Sequence, residues 1–121
     1  MALARTDLSP VVQVGAATTV GIVTVGSGQT CYIKSILIYN VDANFSQEAE
    51  IDIVPNNSGN VGAAISTTQI ARIGVGTQDT FFFEPAYPIV LRNNGDSLQI
   101  TNIGVNTVNS INVLVTGDID L

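Results

Sequence analysis

Thr30 to Val41, TCYIKSILIYNV, is the longest run of unbroken β character in the chain, and its reading decides the fold. In an extended strand alternate side chains point to opposite faces. Cys31, Ile33, Ser35, Leu37, Tyr39 and Val41 then share one side, and Tyr32, Lys34, Ile36, Ile38 and Asn40 the other. Both sides carry apolar residues. A strand with one face in water shows a single apolar face, so the pattern predicts a central strand whose Ile36 and Ile38 are covered by a loop, a second sheet or another subunit.

Working outward, Gly26-Ser27-Gly28-Gln29 is a turn signal between residues 18 to 25 and residues 30 to 40. It predicts a hairpin in which Thr24 faces Cys31 and Ile22 faces Ile33. Upstream, Val12 to Val25 is rich in Val, Thr and Gly, with Gly15 and Gly21 marking bends or bulges. Residues 1 to 11 read as an arm, because Asp7, Ser9 and Pro10 discourage regular structure, and residues 12 to 121 as a single β domain.

Downstream, Asp42 to Gln47 is a polar loop. Glu48 to Val54 alternates, with Ala49, Ile51 and Ile53 inward and Glu48, Glu50 and Asp52 outward, as a half-solvated strand does. Pro55 to Asn60 has every marker of a loop, and Val61 to Thr68 reads as a short helical turn or a wide loop. Ile70 to Val75 is a strand with Arg72 outward. Phe81 and Phe83 lie on one side of the next strand and Phe82 on the other, and both sides are expected to be covered. Pro85 and Pro88 mark an edge or a strand start at Tyr87 to Leu91. Asn93-Asn94-Gly95-Asp96 predicts a second hairpin, with Leu91 opposite Leu98 and Ile89 opposite Ile100. Ile111 to Thr116 alternates as a last strand that stops at Gly117. Seven to nine short strands with Gly and Asn turns, and no helical period, predict an antiparallel β-sandwich of jelly-roll type.

Composition narrows what such a sandwich does. A chain of 121 residues forms one domain and buries roughly two-thirds of its unfolded surface. Hydrophobic residues make up 45% and charged ones 12%, against about 25% charged in an ordinary soluble domain. That shortage predicts burial against partners. The net charge of −6 argues against nucleic acid and anionic membrane as partners, since Arg5, Lys34, Arg72 and Arg92 are its only cations and are scattered. No secretory signal is read in MALARTDLSP, and no apolar run approaches the roughly 18 residues of a membrane span, so synthesis in a cytoplasm is expected.

Catalysis has few residues to work with. There is no histidine, and the single cysteine, Cys31, reads as a small buried hydrophobe. Glu48, Glu50 and Asp52, with neighbours about 7 Å apart on one strand face, suit a divalent cation, an acid and base pair, or a solvated face. A solvated strand face accounts for them best. Tyr32, Tyr39, Phe45 and Tyr87 are candidates for a sugar-stacking platform; core and interface packing accounts for them better, since they fall on different strands and no tryptophan joins them. No catalytic residue, metal or cofactor is expected.

The order of motifs adds a resemblance. A Thr/Val strand and Gly-rich turn precede Tyr32-Ile33-Lys34-Ser35-Ile36 and Asn40. Val54-Pro55-Asn56, Ala71-Arg72-Ile73, Phe83-Glu84-Pro85, Pro88-Ile89-Val90-Leu91 and Asn94-Gly95-Asp96-Ser97-Leu98-Gln99 follow, and Asn112-Val113-Leu114-Val115 with Gly117-Asp118 closes the chain. Over nearly its whole length the arrangement resembles the small all-β virion proteins of tailed bacteriophages. The resemblance implies a virion location, no enzymatic activity, and a homo-oligomer such as a trimer. The expected function is a capsid decoration or cement protein bound across major capsid subunits, with a neck, tail or fibre component or a carbohydrate-binding module as alternatives. Leu3, Arg5 and Leu8 on the arm, and Ile36, Ile38 and Phe82 on strand faces, are the expected interface residues. Removal of residues 1 to 10 is expected to leave the fold intact.

Overall fold

The structure, a computed structural model, describes residues 3–104 and 109–120, with side chains from residue 8 onward. The strands are β1 (Leu3–Asp7), β2 (Val12–Val14), β3 (Thr18–Thr24), β4 (Thr30–Asn40), β5 (Gln47–Val54), β6 (Gln69–Val75), β7 (Thr80–Phe83), β8 (Ile89–Leu91), β9 (Ser97–Asn102) and β10 (Ile111–Asp120). No helix occurs among the described residues. The chain is an antiparallel β-sandwich, as its alternation predicts, and β1, on the segment read as an arm, is the strand added to the expected ones.

One sheet runs β1–β10–β4–β7, with β2 also on β10 and β8 also on β4; the other runs β3–β9–β5–β6. The pairing follows a simple rule. Leu3 meets Asp120, Val14 meets Ile111, Thr24 meets Ser97, Cys31 meets Leu91, Tyr39 meets Thr80 and Ile51 meets Ala71. The chain is therefore one long antiparallel ribbon, paired from its two ends toward an apex at residues 55 to 68. The ribbon rolls up so that successive segments alternate between sheets, which is jelly-roll connectivity. Ladders between β4 and β10 and between β5 and β9 close the roll.

This explains why both predicted hairpins are absent. β3 and β4 lie in different sheets, as do β8 and β9. The Gly26 to Gln29 and Asn93 to Asp96 turns are the two strands of the ribbon bending together from one sheet to the other. They bond to each other: Val25 N donates to Asp96 O at 2.9 Å and Gly95 N to Val25 O at 3.0 Å. Turn residues mark where a chain bends, and a bend between sheets needs the same residues as a bend within one.

The opposite corner, between β4 and β5, is held by side-chain amides. Asn40 Nδ2 donates to the carbonyls of Phe45, Val75 and Gly76 at 2.9 to 3.1 Å, and Gln47 donates to Asn40 Oδ1. Asn102 Nδ2 donates to Gln47 Oε1 at 2.9 Å and to Val14 O at 3.2 Å. All three amides are buried, and together they tie the ends of β2, β4, β5, β6 and β9 to one another.

Strand β4 departs from simple alternation. Ser35 pairs with Thr116 but Ile33 pairs with Gly117, so Lys34 is the extra residue of a β-bulge. The bulge changes the phase of the strand. Cys31 and Ile33 before it, and Ile36, Ile38 and Asn40 after it, are all buried. Ile36 and Ile38, expected at an interface, thus lie fully inside the chain's own core. Burying two isoleucines contributes about 3–6 kcal/mol, against about 1 kcal/mol for one lost backbone hydrogen bond, so the bulged register wins.

Three further expectations change. The arm is part of the sandwich: β1 pairs along β10 from Asp120 to Thr116, Leu8 N donates to Val115 O at 2.8 Å, and Ser9 and Pro10 interrupt the edge before β2. Strand β10 runs through Gly117 to Asp120. Asp52 does project from the outer face of its sheet, but residues 61 to 68 fold over it as a loop and bury it.

Candidate docking surface

The outer faces of the two sheets differ in chemistry. Across β10, β4 and β7, Leu114 pairs with Leu37 and Leu37 with Phe82, and in the next outward row Asn112 pairs with Tyr39 and Tyr39 with Thr80. These side chains point away from the core because the bulge leaves Leu37 and Tyr39 out of phase with Ile36 and Ile38. Leu37, Tyr39, Thr80, Asn112 and Leu114 border, with Val11, a shallow depression of about 210 Å³, and Phe82 stands on the same face next to Leu37. Phe82 is 55% exposed and Val11 62%, while Leu37 and Leu114 are half-buried. None of the seven carries a charge, on a chain whose net charge is −6.

On the other sheet the outward row is polar throughout: Thr19 pairs with Thr101, Thr101 with Glu50 and Glu50 with Arg72. Arg72 Nη2 lies 2.7 Å from Glu48 Oε2, and Nη1 lies 3.7 Å from Glu50 Oε1. The hydrogen bonds that Arg72 donates to Glu48, with the charges of both carboxylates, hold the guanidinium above its usual range. The 61 to 68 loop covers the rest of that face, where Gln99 Nε2 donates to Gly62 O at 2.9 Å and Thr68 Oγ1 to Asp52 Oδ2 at 2.8 Å.

The expected interface residues are dispersed by the fold. Phe82 stands on the apolar face, Ile36 and Ile38 lie beneath it in the core, and Leu8 is half-buried against that core. Leu3 and Arg5 lie on β1, and their side chains fall outside the described residues. The aromatics read as a sugar platform do not converge. Tyr32 and Tyr39 sit toward opposite ends of β4, Tyr87 is 85% exposed in the β7–β8 connection, and Phe45 belongs to the β4–β5 corner. Cys31 is buried and its thiol is pushed up by desolvation, which keeps it from forming a thiolate. Among the described residues no three His, Cys, Asp or Glu side chains gather as a metal site.

Leu37, Leu114 and Val11 are not singled out in the sequence, and Tyr39 stands out there only among the aromatics. Strict alternation placed Leu37 with Cys31 and Ile33. The available signal was the spacing of β4's apolar residues, Ile33 then Ile36 then Ile38, which breaks a period of two by one residue and marks a bulge. A scan against protein-family models and a search of curated proteins found no match to the chain.

Proposed function

We propose that this chain is a non-enzymatic structural protein of a phage virion, a capsid decoration or cement protein that self-associates, with a trimer favoured, and binds across major capsid subunits. The observation that carries the reading is the charge-free apolar face of Leu37, Phe82, Leu114, Tyr39 and Val11. Uncovered apolar surface in register across three strands is what a protein buries against a neighbour, and each large side chain buried there contributes about 1.5–3 kcal/mol of association. Jelly rolls serve viral capsid, lectin and cupin domains alike, so the fold is compatible with the role and the face supplies the argument. The resemblance of its motif order to that of small phage virion proteins supports the reading independently. Docking through this face replaces docking through Ile36, Ile38 and a free arm.

The test is occupancy on purified particles. Phe82→Glu and Val11→Glu place a charge on the face without touching the core, so both variants are expected to keep the wild-type circular dichroism spectrum and to be lost from the particle. Wild-type occupancy of both would overturn the reading. A copy number in step with the major capsid protein marks decoration; a far smaller one marks a neck or tail part, which the same face would serve.

A further inference from the structure

A hollow of about 320 Å³ opens on the polar sheet, walled by Thr19, Thr101, Glu50, Asp52, Gln69 and the loop residue Ser66. Glu50 and Asp52 stand two residues apart on β5, so their side chains leave the sheet on the same outer side. Asp52 is only 2% exposed. One of its oxygens, Oδ2, accepts from Thr68 Oγ1 at 2.8 Å; the other, Oδ1, is buried with no hydrogen-bond partner among the described residues. A carboxylate held this way is costly unless a cation or donor reaches it.

The surroundings favour a cation. Thr19 and Thr101 hydroxyls touch at 2.7 Å across the strands, and Glu50 is only loosely engaged by Arg72 at 3.7 Å, since that guanidinium is bound mainly to Glu48. The polar groups around the hollow are hard oxygens, two carboxylates, hydroxyls and the side-chain amide of Gln69, with Ala64 and Ile65 of the loop completing the wall. Calcium takes 6–8 such ligands in roughly this mixture, whereas magnesium keeps most of its water and demands a stricter octahedron, and zinc prefers nitrogen and sulfur. We propose that this hollow is a calcium site, with Asp52 and Glu50 as its anionic ligands and the 61 to 68 loop closed over the ion. The proposal does not depend on the virion reading. Its consequence is that calcium fastens the apex of the ribbon, joining β5 to the loop that caps it.

The full chain, stripped with EDTA and dialysed, is titrated with CaCl₂ and with MgCl₂ by calorimetry, and its Tm is followed up to about 10 mM of either ion, above the constants of weak protein sites. Calcium is expected to bind one per chain and to raise Tm by several degrees, with magnesium weaker by about tenfold or more. Asp52→Asn and Glu50→Gln are each expected to lower calcium affinity by at least about tenfold. Without calcium, Asp52→Asn should melt no lower than the wild type, because the unpartnered buried charge is gone; with calcium the order should reverse. A purely structural Asp52 would instead lose the same stability with or without the ion. Absence of calcium heat and of any Tm rise in the wild type overturns the proposal, as does undiminished affinity in Glu50→Gln, which is partly exposed and should fold even if Asp52→Asn does not.

Discussion

Gly117 shows how one residue holds a register. A Cβ added there would stand 1.9 Å from the Tyr32 carbonyl oxygen and 3.0 Å from Leu8 Cδ1, because the bulge at Lys34 brings the β4 backbone against β10 at this position. Only glycine admits that approach. Gly117→Ala is therefore expected to destabilise the chain by about 3 kcal/mol, at the upper end of overpacking costs, measured by urea denaturation; a change below about 0.5 kcal/mol would mean that β10 is not held in this register. In sequence the glycine looked like a strand end. A glycine that stops a strand and one that lets two backbones touch are alike until the partner is known.

Asp96 acts through charge. Burial works to raise its pKa, and hydrogen bonds from the Asn56 side chain, the Asn56 backbone and the Asn93 backbone outweigh it, so the carboxyl titrates below its ordinary range. A folded-state pKa below the unfolded one means that the unfolded chain binds the proton first. The stabilisation is present above the unfolded pKa and is lost as pH falls through the folded one. Asp96→Asn should lower Tm at pH 7 and flatten the acid limb of the Tm–pH curve below about pH 4. An unchanged acid limb would remove Asp96 from the account of that corner.

At the scale of elements, sequence reading located most strands and misjudged how they pair. The alternation of Glu48 to Val54, the Phe triplet and the two proline-marked edges were legible because burial on one face writes a period of two into the residues. The pairing was not legible at either glycine turn. Gly26 to Gln29 and Asn93 to Asp96 satisfy hairpin rules individually, and only their mutual hydrogen bonds, 70 residues apart in sequence, make them one corner between sheets. The apolar face was hidden for a related reason, since one extra residue at Lys34 reverses every side chain after it. The same logic revises the N-terminus. Because β1 supplies the outer ladder of β10 and Leu8 packs on the core, deletion of residues 1 to 10 should lower stability by at least about 2 kcal/mol, through lost ladder bonds and lost apolar burial. Thermal denaturation of the truncated chain checks this; an unchanged Tm would return the segment to the status of an arm.

At the scale of the whole molecule, few charges and many apolar residues are reconciled in two places. The bulge turns both apolar halves of β4 into a single core, which removes most of the need for outside cover. What is left uncovered falls partly on the β10–β4–β7 face, at Val11, Tyr39 and Phe82, and partly on the other sheet and its loop, at Ile70, Val61 and Ile65, beside threonines and paired charges. Only the first of these surfaces stands in register across three strands, and on the proposed function it is the one a neighbour covers. The most direct measurement of the proposed virion role is an electron cryo-microscopy map of purified particles of the phage proposed to encode the chain. The account predicts copies spread over the head with Leu37, Tyr39, Phe82 and Leu114 buried against a neighbouring subunit. Particles that lack the chain, or that carry it with this face open to solvent, would contradict it.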